Sequence, residues 1–181
     1  MLKHYPITPI AKPRMTRADA ITMRKLAAGK RLSDKERKRA PLLSRWLAYK
    51  NEVQLRRVDV PESGAWIVFV LPMPGSWSRK RKREMRGHPH RGQKDKARKN
   101  DKDNLEKGLL DAVFGDDSAI WDSRVTKVWG DGGAIFVGSA SGWDFAMPFD
   151  AKGWELVARQ AAQTVPRRFR SAPALNGAPR E

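Results

Sequence analysis

The chain has 181 residues, enough for one domain with a real core, and carries 37 Lys+Arg against 20 Asp+Glu, a formal charge of +17. Positive charge on that scale repels itself and points to a polyanionic partner such as nucleic acid. Without cysteine there is neither a disulfide framework nor a thiolate metal site; without a long apolar run, a basic amphipathic helix or a signal peptide, a membrane partner is disfavoured and a soluble, cytoplasmic protein is expected.

Residues 4–14 (H-Y-P-I-T-P-I-A-K-P-R) read as an extended segment, confined to a sheet edge because Pro6 and Pro9 give no N–H to a ladder. Residues 16–38 are helix-permissive and heavily basic, with Ser33 and Glu36 at capping-box spacing. The apolar face there (Ile21, Met23, Leu26) is thin, so residues 15–41 read as a marginally packed helical insertion. Pro41 suits the first turn of a new helix, whose stripe of Leu43, Trp46, Leu47 and Val53 runs to about Arg57. After a turn over 58–63, residues 65–71 are apolar on both alternating faces, as in a central strand covered on both sides. Pro72 and Pro74 end it. Residues 76–102 hold twelve Lys/Arg against three acids and almost nothing apolar, a basic loop that alone would be disordered. An acidic helix starts near Asp101, a loop follows over 114–120, and strands at 123–129 and 134–138 form an expected hairpin about Gly130-Asp131-Gly132-Gly133. A helix over 152–163 closes a domain of residues 1–165, and the Pro/Arg/Ala-rich stretch 166–181 reads as a disordered basic tail.

The chemistry concentrates in 100–125, N-D-K-D-N-L-E-K-G-L-L-D-A-V-F-G-D-D-S-A-I-W-D-S-R-V. On a helix, Asp103, Lys107 and Asp111 fall at i, i+4 and i+8 on one face with Asn104 beside them, while Leu105, Leu109, Ala112 and Val113 form the core stripe. Hard cations such as Mg²⁺ favour carboxylate oxygens, and two or three converging Asp residues suffice. A plainer reading competes: Asp103 with Glu106 is also a D-x-x-E cap, and acids suit a helix N-terminus. Asp101 exceeds what capping needs, and a basic segment feeds directly into the site. Lys107 is placed to hold a phosphate or to salt-bridge Asp103 or Asp111, and Asp111 reads as a partner of Lys107 rather than as a metal ligand. Asp116 and Asp117 read as turn formers and Asp122 as the better third carboxylate, though spacing alone does not choose among the three. His88 and His90 lack a neighbouring carboxylate or cysteine and suit phosphate contact or solvent. Arg79, Lys80, Arg81, Lys82, Arg83, Arg86, His90, Arg91, Lys94, Lys96, Arg98, Lys99 and Lys102 are the candidate DNA-backbone contacts; Trp77 before them and the acids after them favour that over a solvated charge block.

The segments L-P-M-P-G-S-W-S-R-K-R-K (71–82), G-H-P-H (87–90), D-K-D-N-L-E-K-G-L-L-D-A-V (101–113) and G-D-D-S-A-I-W-D-S-R-V-T-K (115–127) resemble the RusA family of Holliday junction resolvases, especially its phage and prophage members. The resemblance covers roughly 5–14 and 43–129 and leaves 15–41 and the C-terminal tail without counterpart. It implies a small α/β (α+β) fold with a mixed sheet, acting as a homodimer. The implied activity is Mg²⁺-dependent paired incision of four-way DNA junctions, with Mn²⁺ substituting and no small-molecule cofactor. By motif, Asp101 and Asp103 match the family's leading catalytic acids, Lys107 its essential lysine and Asp122 its third acid, which sets Asp116 and Asp117 aside; Asn104 and Asp111 are possible supporting residues. One departure is that Trp121 stands where the family often has a second acid. Two other classes compete: a branched-DNA-binding architectural protein whose acids are caps and salt bridges, and a metal nuclease acting on forks, flaps or RNA.

Overall fold

In the computed structural model, residues 2–90, 101–115, 118, 120–139 and 159 are described. In chain order the elements are β1 (Lys3–Tyr5), α1 (Arg17–Ala27), α2 (Asp34–Leu55), β2 (Ala65–Pro72), α3 (Arg79–Met85), α4 (Lys102–Val113), β3 (Ser123–Gly130) and β4 (Ala134–Ser139). They make an α+β fold on a mixed sheet of order β1-β4-β2-β3. The apolar run of β2 takes the interior position expected of it: Ile67, Val68, Phe69 and Val70 are each 0% exposed. It pairs in parallel with β3, from Ala65↔Ser123 to Pro72↔Gly130, and antiparallel with β4. Of the segment 4–14 only the start is a strand: β1 covers Lys3–Tyr5, stops before Pro6 and lies at the sheet edge against β4.

One sheet face (Ile67, Phe69, Leu71, Ile135, Val137) packs against Trp46, Tyr49 and Val53 of α2 and Leu105, Leu109 and Ala112 of α4. The other face carries a smaller cluster, Val68, Val70, Val128, Ala134 and Phe136, with Leu2 and Trp66 at its margin. Burial of this apolar surface is the main favourable term holding the layers together.

Three expectations are corrected. The strands 123–130 and 134–139 do not pair with each other; they flank β2, and residues 131–133 carry the chain across the end of that strand. The second helix does not begin at Pro41. The Ser33/Glu36 capping box starts it at Asp34, and α2 runs through Pro41 to Leu55. A proline removes one helical N–H and crowds the carbonyl four residues back. Here the cap before it and the buried Leu43, Trp46, Tyr49 and Val53 after it hold the helix. The basic segment is not wholly irregular either: Ser78 accepts from the Arg81 N–H to cap α3, and residues 87–90 lie along β3, with N–H donations from Gly87 to Trp129, Trp129 to His88, and His90 to Lys127. Residues 91–100, nearly all of the expected helix 152–163, and the tail lie outside the described residues.

The insertion is tied down at two points. Thr16 and Asp19 form a capping box at α1. The Arg39 guanidinium bonds both Asp19 oxygens at 3.0 and 3.2 Å, and Lys25 pairs with Glu36 at 2.7 Å. The Arg39 hydrogen bond, then those from Thr16, hold the Asp19 carboxyl below its ordinary range. Lys25, then Ser33, lower that of Glu36 to about 2.

Candidate active site

Helix α4 is both the sheet's cover and the platform for the acids. Leu105, Leu109 and Ala112 face the core, which turns Asp103 and Lys107 outward. Asp101 is the N-cap residue by backbone conformation, yet its side chain makes no capping hydrogen bond. Asp103 sits in the first turn, and among the described residues neither carboxylate has a hydrogen-bond or ion-pair partner. The D-x-x-E capping arrangement is not used: the Glu106 carboxylate accepts instead from the Ser123 hydroxyl.

Asp122 enters from the loop before β3. Its Oδ2 accepts from the Gly64 N–H at 3.1 Å and its carbonyl from the Ala65 N–H at 3.3 Å. Gly64 has φ +63°, a left-handed conformation that glycine adopts without a steric penalty, and this lets the turn before β2 present its N–H to the acid. The adjacent Trp121 is 78% exposed.

Asp103, Glu106, Lys107, Trp121, Asp122 and Ser123 line one open cleft of about 520 Å³. Asp101 and Asn104 line an adjoining recess of about 780 Å³ with Lys12 and Arg14, and Lys107 borders both. Asp103, Lys107 and Asp122 are thus brought together, with Asp101 around the side of the helix. Asp111 is not: it is 7% exposed and ion-paired with Lys12, not with Lys107. Asp116 and Asp117 lie outside the described residues. Glu106 is the acid that sequence reasoning passed over, although it stands one turn after Asp103 on the same face.

Of the expected DNA contacts, Arg79, Lys80, Arg81 and Arg83 are exposed on α3, and Lys82 is half-buried. Trp77 anchors this helix, with Arg81 4.4 Å above its ring and the Trp129 ring 5.0 Å away. Arg86 is held by Asp131 at 2.7 Å, and Lys102 is exposed at the start of α4. His90 is not at the surface as a phosphate contact would be. It is 9% exposed with its ring 4.1 Å from Trp129, and burial, then Lys127, lowers its pKa. Arg91, Lys94, Lys96, Arg98 and Lys99 lie outside the described residues.

Carboxylate oxygens beside a lysine are the donors a Mg²⁺ ion takes when it keeps most of its waters and uses only one or two protein carboxylates. Among the described residues no three His, Asp or Glu converge as a ready-made cage. The donor chemistry therefore fits a water-rich cation bridging protein and phosphate, not a closed structural site.

No described helix is long and apolar enough to cross a membrane. Comparisons with curated proteins and with solved structures gave no match. The family model described as Endodeoxyribonuclease RusA matches residues 5–138. That span runs from the end of β1 to β4 and includes both walls of the acid cleft; the chain belongs to the RusA family of endodeoxyribonucleases.

Proposed function

We propose that this chain is a Mg²⁺-dependent, structure-selective endodeoxyribonuclease that resolves four-way DNA junctions by paired symmetric incisions as a homodimer. The observation that carries the reading is the cleft in which Asp103, Glu106 and Lys107 of α4 face Asp122 from the start of β3. Asp101, Asp103 and Asp122 are the acids that would hold the cation, with one or two carboxylates as direct ligands and water completing its shell, and Mn²⁺ would be able to replace it. A divalent ion in such a site supplies Lewis-acid stabilisation of the phosphate and an activated water. The Gly64 N–H fixes one oxygen of Asp122, so its carboxylate is oriented before substrate arrives. Lys107 borders both recesses, and its ammonium offsets the charge that develops on a phosphate lying across α4. The cations of α3 grip backbone phosphates without reading bases. A four-way junction has near two-fold symmetry, so a two-fold dimer carries one site to each of two opposed strands.

The test is cleavage of a synthetic mobile four-way junction, with and without Mg²⁺ or Mn²⁺, by the unaltered chain and by Asp103→Asn. Symmetric nicks that need both the cation and Asp103, with junction binding retained in the variant, are the expected result. Wild-type cutting by Asp103→Asn would refute the site. Tight binding with no cut under either metal would favour the architectural reading, and preference for forks, flaps or RNA would refute the junction specificity. Sedimentation of the free protein checks the dimer.

A further inference from the structure

The basic residues named so far lie along α3 and the segment before α4. A second group of cations lines the recesses beside the N-terminal segment, where Lys12, Arg14 and Arg45 meet Arg39 of the insertion. The recess lined by Lys12, Arg14, Asp101, Asn104 and Lys107 continues into another of about 380 Å³. The two share Lys12, Pro13, Arg14 and Asn104, and the second adds Arg39, Arg45 and Trp46. Lys107 also borders the acid cleft, so a row of adjoining recesses leads from Arg45 past Arg14 to the acids.

Two of these cations are already committed: Lys12 to Asp111 and Arg39 to Asp19. The Arg14 and Arg45 side chains are exposed and, among the described residues, have no hydrogen-bond or ion-pair partner. The committed pair holds the uncommitted one in place. Arg39 donates to the Arg14 carbonyl at 2.6 Å while gripping buried Asp19 of α1. The Lys12 N–H donates to the Asn104 carbonyl at 3.0 Å, strapping this segment to the first turn of α4. The α1 insertion thus buttresses Arg14 and fixes it beside the acid helix.

We infer that these recesses form a second DNA-backbone track, in which Arg14 and Arg45 hold phosphates of the strand running past the acid cleft. Guanidinium forks suit phosphate oxygens, and a partner-free pair in a groove is complementary to a polyanion. This track rests on the nuclease reading for its position relative to the cut, but its binding role is tested apart from cutting.

The measurement is junction affinity against salt, on the Asp103→Asn background so that nothing is cleaved. The parent is compared with an Arg14→Gln/Arg45→Gln pair and with a Lys50→Gln/Arg57→Gln pair of equal charge outside the groove lining. Removing one cation from a phosphate flattens the slope of log K against log salt by about 0.9, so the slope of the groove pair should be shallower by about 1.8. Its affinity deficit should then shrink by about tenfold between 50 and 200 mM salt. The Lys50/Arg57 pair should keep the parent slope. Equal slopes for the two pairs overturn the inference. So does an unchanged slope accompanied by a change in sedimentation of the groove pair, which would make this flank a face between copies of the chain. Failure of the nuclease reading would appear separately, as absence of cutting by the unsubstituted protein.

Discussion

Gly108→Ala offers a test in which two physical effects oppose each other and the structure decides the sign. In the interior of a helix, replacing glycine by alanine stabilises by about 0.8–1 kcal/mol through propensity alone. At this position an added Cβ would stand 2.7 Å from the Ile10 carbonyl oxygen, 3.1 Å from the Lys12 nitrogen and 3.5 Å from the Trp46 ring. The first two are backbone atoms and cannot rotate away. The Lys12 N–H is bonded to the Asn104 carbonyl, and Trp46 is 3% exposed in the core. Relief therefore requires the 10–12 strap to move off α4. Overpacking of this kind costs about 1–3 kcal/mol, and weakening the strap's hydrogen bond adds about 1 kcal/mol. After the propensity gain is subtracted, the variant should be less stable by about 1–3 kcal/mol. For a chain of this size each kcal/mol moves Tm by about 2–4 °C. A calorimetric or circular-dichroism melt should show Tm lowered by several degrees. A Tm raised by about 2–4 °C, as propensity alone would give, would mean that the strap does not press on α4 as described.

Further expectations concern the arm and the cleft. Glu36 and Asp19 have folded pKa values below their ordinary 4.5 and 3.8, so their contribution to stability is complete above about pH 4.5 and is lost as pH falls through the folded values. Carboxyl titration by NMR should find both depressed, Glu36 to about 2; ordinary midpoints would contradict the ion pairs of the α1–α2 arm. In the cleft, Glu106 accepts from Ser123, the neighbour of Asp122. Glu106→Ala should lower cleavage by about 10–100-fold by loosening that wall, whereas Glu106→Gln, which keeps an acceptor oxygen, should retain more activity. Equal losses in single-turnover assays would show that the charge of Glu106, rather than its hydrogen bond, is required.

What could be read from the sequence was carried by side-chain periodicity. Asp103 and Lys107 share a face because residues four apart must do so on a helix, and the doubly apolar run 65–71 required neighbours on both sides. What could not be read depended on distant partners. Glycines after β3 announce a reversal but not whether the returning strand pairs with its predecessor or passes over a third. A sharper signal was present in the strands themselves. Ala134–Val137 is a continuous apolar run, as an interior strand needs, whereas the first residues of β3 alternate Ser123, Arg124, Val125, Thr126, Lys127. The α3 helix was hidden because its anchors, Trp129 for Trp77 and Asp131 for Arg86, lie about fifty residues downstream. His90 was misread for the same reason: only tertiary packing reveals that a histidine in a basic stretch is covered by Trp129.

The site and one of the fold's tight backbone contacts meet on α4. Its inner face supplies Leu105, Leu109 and Ala112 to the core, its outer face supplies Asp103 and Lys107 to the cleft, and at Gly108 it takes the 10–12 strap at backbone contact. Lys12 on that strap is ion-paired with buried Asp111, so an acid of the helix that lines neither recess has its charge offset from behind. The outward acids are not: among the described residues the carboxylates of Asp103 in the cleft and of Asp101 in the adjoining recess have no partner. A helix that neutralises its buried acid and leaves its outward acids unmatched concentrates negative potential at one place on a chain of charge +17. On the function proposed above, this place is where a divalent cation would bind, and the surrounding positive field would draw phosphate toward the same spot. The acids would repel a DNA strand on their own; bound cation and basic flanks together allow one to approach. Removing the cation should therefore weaken close engagement at the acid cleft while sparing attachment through α3.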